Sequence, residues 1–254
     1  MKELSKNIKK IITLTGLFFK IAIKQKTTPL FFIVAILSIA ISSSISGIDI
    51  GDKADRLFID ITIFIQSSIL TLIAIFFSLN YLEKERSGGI FIIPLSSGVN
   101  RKLYFISLIL SQITILFTIF AIFFGVDVIY ISLFQIDSIL IYQLFLSFLS
   151  SIVLATLMIM IGEYTTPLKG LVYTIIIYFI GNGLDELYLY SYQLKSDEVL
   201  QILYEILSKI VPNFYIFGET KISIYPFFHT VTQILILSIL GYLKFKNRVL
   251  KVEN

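Results

Sequence analysis

The chain has 254 residues, of which 56% are hydrophobic and 15% charged, with 23 Phe and a mean hydropathy of +0.89. That is more apolar surface than one soluble core of this size uses, so the composition points to an integral membrane protein. With no cysteine and one histidine, disulfides, thiol catalysis, cysteine-ligated zinc, iron–sulfur clusters and any site built from two histidines are excluded.

The apolar runs extend for 17 to 24 residues without a period of two, so the spans are predicted to be helices and not barrel strands. At the N-terminus, residues 1–28 place Ile8, Ile11, Ile12, Thr15, Phe18, Phe19 and Ala22 at three-and-four spacing, with Lys9, Lys10, Lys20 and Lys24 mostly elsewhere on the wheel. The pattern predicts an amphipathic helix lying in the membrane interface, its lysines toward anionic headgroups. Lysines also follow the apolar stretch and no small-residue cleavage site appears, so the segment reads as retained.

Six spans follow, at 30–48, 59–81, 103–125, 139–161, 166–184 and 227–243. The first has a serine-rich half, SIAISSSISG, whose small residues suit either packing within the bundle or a dimer or substrate-facing wall. Between the second and third lies LEKERSGGIFIIPLSSGVNRK, residues 82–102, with six charged side chains. Only 14 residues separate Arg86 from Arg101, about 21 Å even if wholly helical. That is less than the roughly 30 Å apolar core of a bilayer, so both charge clusters lie on one side. Asp127 and Glu163 fall at span edges, where a boundary charge is the ordinary reading.

Residues 185–226 form the longest loop, on the side opposite the termini. Ser196 is placed to cap a helix over 196–211 whose stripe is Val199, Ile202, Leu203, Ile206, Leu207 and Ile210, a face that needs an apolar surface to rest on. Gly181-Asn182-Gly183 is predicted to break the fifth span near its end, and His229 reads as a packing or interface residue.

Sixteen of the 21 basic residues fall on the side of the termini and 12 of the 17 acidic residues on the other. Positive-inside bias therefore predicts that both termini, the 82–102 island and the 162–169 loop are cytoplasmic. The net charge of +4 follows from topology and calls for no nucleic-acid partner. No P-loop, GxGxxG, HExxH or GxSxG occurs, so nucleotide hydrolysis is not expected of this chain, nor a catalytic site. Carboxylates are also missing from the middle of the spans, which disfavours an ion-coupled carrier.

The island resembles the loop between the second and third spans of ABC-2 type permeases, the membrane subunits of one class of ATP-binding-cassette transporters. In that family the second span ends in acidic residues, a basic residue and a small-Gly step, followed by an apolar run, a Pro and basic residues at the next span. Here Glu83, Glu85, Arg86, Ser87, Gly88, the run Ile90–Ile93, Pro94 and Arg101-Lys102 stand in those places. The chain departs from the pattern at Gly88-Gly89-Ile90, where Gly-Thr-Leu is usual, and at Ile106-Ser107, where Gly-Lys is frequent.

The resemblance implies one all-α transmembrane domain over residues 1–254, with an interface helix, a cytoplasmic connector helix after the second span and an outer helical segment at 185–226. It implies an exporter permease in the plasma membrane, acting as a homodimer or heterodimer with a separate ABC ATPase. ATP and magnesium would be bound by that partner, with no cofactor in this chain. The ATPase-coupling residues would be Glu83, Glu85, Arg86, Gly88, Gly89, Phe91 and Pro94. Independently of the family, a short helix carrying Ile90, Phe91, Ile92 and Ile93 between glycines and a proline has the shape of an element that docks in a groove of a soluble partner. The competing reading is a six-span membrane sensor or immunity protein that binds a partner without transport. The substrate is not legible.

Overall fold

The computed structural model describes residues 2–24, 33, 37, 54–88, 99–134, 138–193, 198–218 and 222–247. The first predicted span, 30–48, lies outside the described residues apart from Ile33 and Leu37, as do 89–98 of the charged island. All regular structure among the described residues is helical: α1 (Lys2–Ile23), α2 (Ala54–Gly88), α3 (Arg101–Phe134), α4 (Ile139–Tyr164), α5 (Pro167–Asn182), α6 (Leu184–Tyr188), a π-helical turn (Leu189–Gln193), α7 (Glu198–Ile210), a 3-10 turn (Tyr215–Gly218) and α8 (Tyr225–Lys246).

Among the described residues four helices are long and apolar enough to cross a membrane, at Ile59–Arg86, Arg101–Ser132, Ile139–Tyr164 and Tyr225–Lys246. The bent pair Pro167–Asn182 and Leu184–Ser191, kinked by 47°, supplies up to one more. These are the second, third, fourth and sixth of the predicted spans, with the bent pair at the fifth. Several such helices in one chain fit a multi-pass membrane protein.

The core is built around α4. Helices apolar on every face belong inside a bundle, and 83% of the most apolar stretch of α4 is buried, against 22% for α8. Leu70, Ile73 and Ala74 of α2, Leu116 and Phe123 of α3 and Leu237 of α8 share its cluster. Serine and threonine do not interrupt α4, because Ser147, Ser151 and Thr156 donate to the carbonyls of Gln143, Ser147 and Ile152 at 3.0, 2.8 and 2.9 Å. The small residues also let neighbours approach: Ser78 of α2 donates to Ala155 O at 3.4 Å. A Cβ at Gly241 of α8 would lie 3.4 Å from Met160 Cα of α4.

α1 forms over most of its predicted range and packs on α3, where Thr15 Oγ1 donates to Ser107 O and Ser107 Oγ to Ile11 O, both at 3.4 Å. The face it buries is Leu14, Phe18 and Ala22, while Ile8 and Ile12 stay exposed. The predicted stripe is therefore turned: Leu14 is its missing member, and Ile8 and Ile12 are left on the open side.

α5 starts at Thr166, whose hydroxyl accepts from Lys169 N at 3.4 Å, with Pro167 in the first turn. It ends in the bend at Gly183, within the predicted glycine break. α7 spans Glu198–Ile210, inside the range predicted for it, and the cap position Ser196 lies outside the described residues. Its stripe does not rest on the described bundle. Val199, Ile202, Leu203, Ile206 and Ile210 are exposed, and the contacts of α7 run instead through Gln201, which donates to Ser191 O at 3.0 Å, and Tyr204, stacked at a tilt on Tyr188. What packs inward from the 185–226 segment is the stretch after α7, where Val211, Phe214, Ile216 and Phe217 are buried. Gly181 admits it, since a Cβ there would come to 2.8 Å from the Phe214 ring.

The bundle is polar end to end. Lys84, Arg86, Arg101, Lys102, Lys169, Lys244 and Lys246 sit at helix termini of one end, which are joined there by Arg101 Nη1 donating to Lys246 O at 2.5 Å and Tyr164 Oη to Leu240 O at 3.1 Å. Asp60, Asp127, Asp185, Glu186 and Glu205 lie toward the other.

Candidate coupling site at the basic end

The charged island begins as helix, not loop. α2 continues seven residues past Tyr81, the predicted end of its span, to Gly88. Four charged residues in succession on a helix cannot share a face. Accordingly Glu83 is exposed, Lys84 and Arg86 are half-buried, and Glu85 is fully buried at 0% exposure.

Glu85 turns into the bundle, where a second carboxylate, Glu163 near the end of α4, is 4% exposed. One turn before Glu85, α2 carries the Tyr81 hydroxyl. That hydroxyl is hydrogen-bonded to Tyr104 Oη of α3. Tyr104 is itself fully buried, stacked on Phe245 of α8 with centroids 5.6 Å apart and met edge-on by Phe18 of α1 at 5.2 Å. Side chains from α1, α2, α3 and α8 thus form one aromatic joint beside the two acids.

Arg86 fixes the other side by donating from Nη2 to the carbonyl of Gly162. Gly162 lets α2 and α4 approach closely here, since a Cβ at 162 would meet the end of the Leu82 side chain of α2, which would have to move. Gly170 repeats the device one helix on, a Cβ there lying 3.2 Å from Gly162 Cα. Between α2, the end of α4 and the start of α5 is an open cavity of about 540 Å3, lined by Arg86, Glu163, Thr165, Thr166, Lys169 and Tyr173 among others. Lys244 of α8 lies over the Tyr164 ring at 5.6 Å, extending the charged rim.

Of the residues predicted for coupling, the structure brings Arg86 to the α4–α5 turn, buries Glu85 and leaves Glu83 on the surface. Gly88 closes α2, and Gly89, Phe91 and Pro94 lie outside the described residues. Burial changes what Glu85 can do. It is an internal group, and Glu83 is the exposed acid at this end of α2. Glu163 was missed as a member of this site. A lone acid in a stretch flanked by Gly162 and Gly170 was the available signal, since paired glycines mark close helix approach.

The other polar positions have simpler roles. His229 packs between the rings of Phe217 and Tyr225, centroids 6.0 and 6.2 Å away. Asp127 is fully buried and accepts from Gln66 Nε2 at 2.8 Å. Among the described residues no group of three or more His, Cys, Asp or Glu is placed to hold a metal ion. The chain matches no protein-family model, and no curated protein matches its sequence.

Proposed function

We propose that the chain is the membrane-spanning permease subunit of an ABC-type exporter, working as a dimer with a separate ATPase in the plasma membrane and with both termini cytoplasmic. The observation that carries the reading is the continuity of α2 from apolar span into charged surface helix, together with its ties at that end to α3, α4 and α5. A docked partner pressing on residues 83–98 would move these helices together, because Tyr81–Tyr104 and Arg86–Gly162 link α2 to its neighbours where the charges begin. That is the mechanical requirement for an ATPase outside the membrane to change access within it. The polarity of the bundle supports the orientation, its basic end being the cytoplasmic one.

The test is affinity purification of the chain from its native membrane with identification of a P-loop ATPase, followed by reconstitution of both in liposomes. Replacing Glu83→Arg together with Phe91→Asp leaves the buried Glu85 in place. Loss of an aromatic anchor and reversal of a rim charge should weaken ATPase binding by more than about 30-fold and abolish stimulated hydrolysis. Undiminished binding and hydrolysis in a normally inserted variant would refute the docking assignment. If no ATPase accompanies the wild type, the non-transporting sensor reading takes its place.

A further inference from the structure

A groove of about 370 Å3 runs between α3 and α8 on the outside of the bundle. It starts at Lys102 and Tyr242, at the basic end, and finishes at Ile113 and Ile234. Its walls are mostly apolar side chains, Phe105, Ile109 and Ile239 among them, and among the described residues Lys102 is the one charged residue lining it. The eleven residue steps from Lys102 to Ile113 cover about 16 Å of helix. Half of a roughly 30 Å hydrocarbon core is about 15 Å.

The groove is therefore one leaflet long, with an exposed cation at its headgroup end and an aromatic hydroxyl, Tyr242, beside it. Leu110, Leu235 and Ile239 leave its open side facing outward, at 39%, 58% and 58% exposure. The Arg101–Lys246 hydrogen bond of 2.5 Å ties α3 to α8 at the mouth, so the spacing there is set by the protein and not by the occupant.

We propose that this groove is a binding site for one anionic phospholipid of the leaflet at the basic end, an acyl chain lying between α3 and α8 and the phosphate at Lys102. A helix from a second copy fits the groove less well. It would continue past Ile113 into the opposite leaflet, where the groove stops. The proposal rests only on the chain spanning a membrane and is independent of any ATPase.

The chain has no tryptophan, so an introduced indole reports alone. Leu110→Trp places it in the groove, and Ile176→Trp, 48% exposed on α5, serves as the control, since each lies nine residues in from the start of its helix at the basic end. Each variant is reconstituted in phosphatidylcholine vesicles containing either brominated phosphatidylglycerol or brominated phosphatidylcholine. Quenching of the Leu110→Trp variant should need roughly five-fold less of the anionic lipid than of the neutral one, the preference one basic residue near the surface supplies. It should vanish on adding Lys102→Gln, and the Ile176→Trp variant should show no preference. Equal quenching by both lipids in the groove variant means ordinary boundary lipid, and no quenching by either means that protein covers the groove. Both results overturn the proposal. Should the tryptophan variants fail to insert, mass spectrometry of the purified native chain decides, with phosphatidylglycerol retained by wild type and lost from Lys102→Gln; equal retention overturns it.

Discussion

Gln66 Nε2 donates to Asp127 Oδ1 at 2.8 Å, joining α2 to α3 with both side chains buried, at 3% and 0% exposure. The second carboxylate oxygen of Asp127 and the amide oxygen of Gln66 have no hydrogen-bond partner among the described residues. A hydrogen bond between membrane helices contributes only about 0.6 kcal/mol on average, whereas orphaning one buried partner costs about 1–3 kcal/mol. Gln66→Leu should therefore destabilise the detergent-solubilised protein more than the double change Gln66→Leu with Asp127→Leu. Thermal unfolding of the three proteins checks this. A double variant that is the least stable would show the pair to be worth more than its desolvation.

The approach of α2 to α4 at Gly162 makes a second prediction. Gly162→Ala should cost about 1–3 kcal/mol through overpacking against Leu82, and Leu82→Ala in the same chain should recover part of it by vacating the space. Additive losses in the double variant would contradict the packing described for this end.

The exposed stripe of α7 is predicted to lie in the lipid boundary near the acidic end. Spin labels at Ile206 and Ile210, 50% and 74% exposed in the structure, should be more accessible to oxygen than to a water-soluble nickel complex in liposomes. A label at the half-buried position 201, where Gln201 faces Ser191, should show restricted motion. Nickel-accessible labels at 206 and 210 would place the helix in water.

Orientation is open to direct test. Alkaline phosphatase fused after Asn254 should be inactive, and active when inserted at 195, in the segment between the π-helical turn and α7. The reverse pattern would invert the topology and with it the proposed docking face.

Sequence legibility followed the scale of the forces. Long apolar runs are summed over some twenty residues, and four of the predicted spans reappear as single helices with a fifth as the bent pair, because no local detail outweighs that sum. The charged island was harder. A run such as Glu83–Arg86 reads as solvated surface, yet the helix simply continues and rotates Glu85 into the core, a consequence of the 100° step per residue that only the positions of α3 and α4 reveal. The stripe of α7 was legible as a pattern, whereas its choice between bundle and lipid boundary was not, since periodicity says that a face is apolar and not what covers it. Glu163 joined the site through Gly162 and Gly170, and helix spacing of that kind leaves little trace in hydropathy.

The length of α2 has a geometric consequence for motion. Its 35 residues make a rod about 52 Å long, some 22 Å longer than the hydrocarbon it crosses. The Arg86–Gly162 bond sits within one turn of its end, which makes that bond a fulcrum with nearly all of the rod on one side. A rotation of about ten degrees there would sweep the distant tip, near Ala54, through about 8 Å over the rod's length. If a partner docks at the charged end as proposed, small displacements imposed there would be magnified toward the opposite membrane surface, where Gln66 of α2 meets Asp127 of α3.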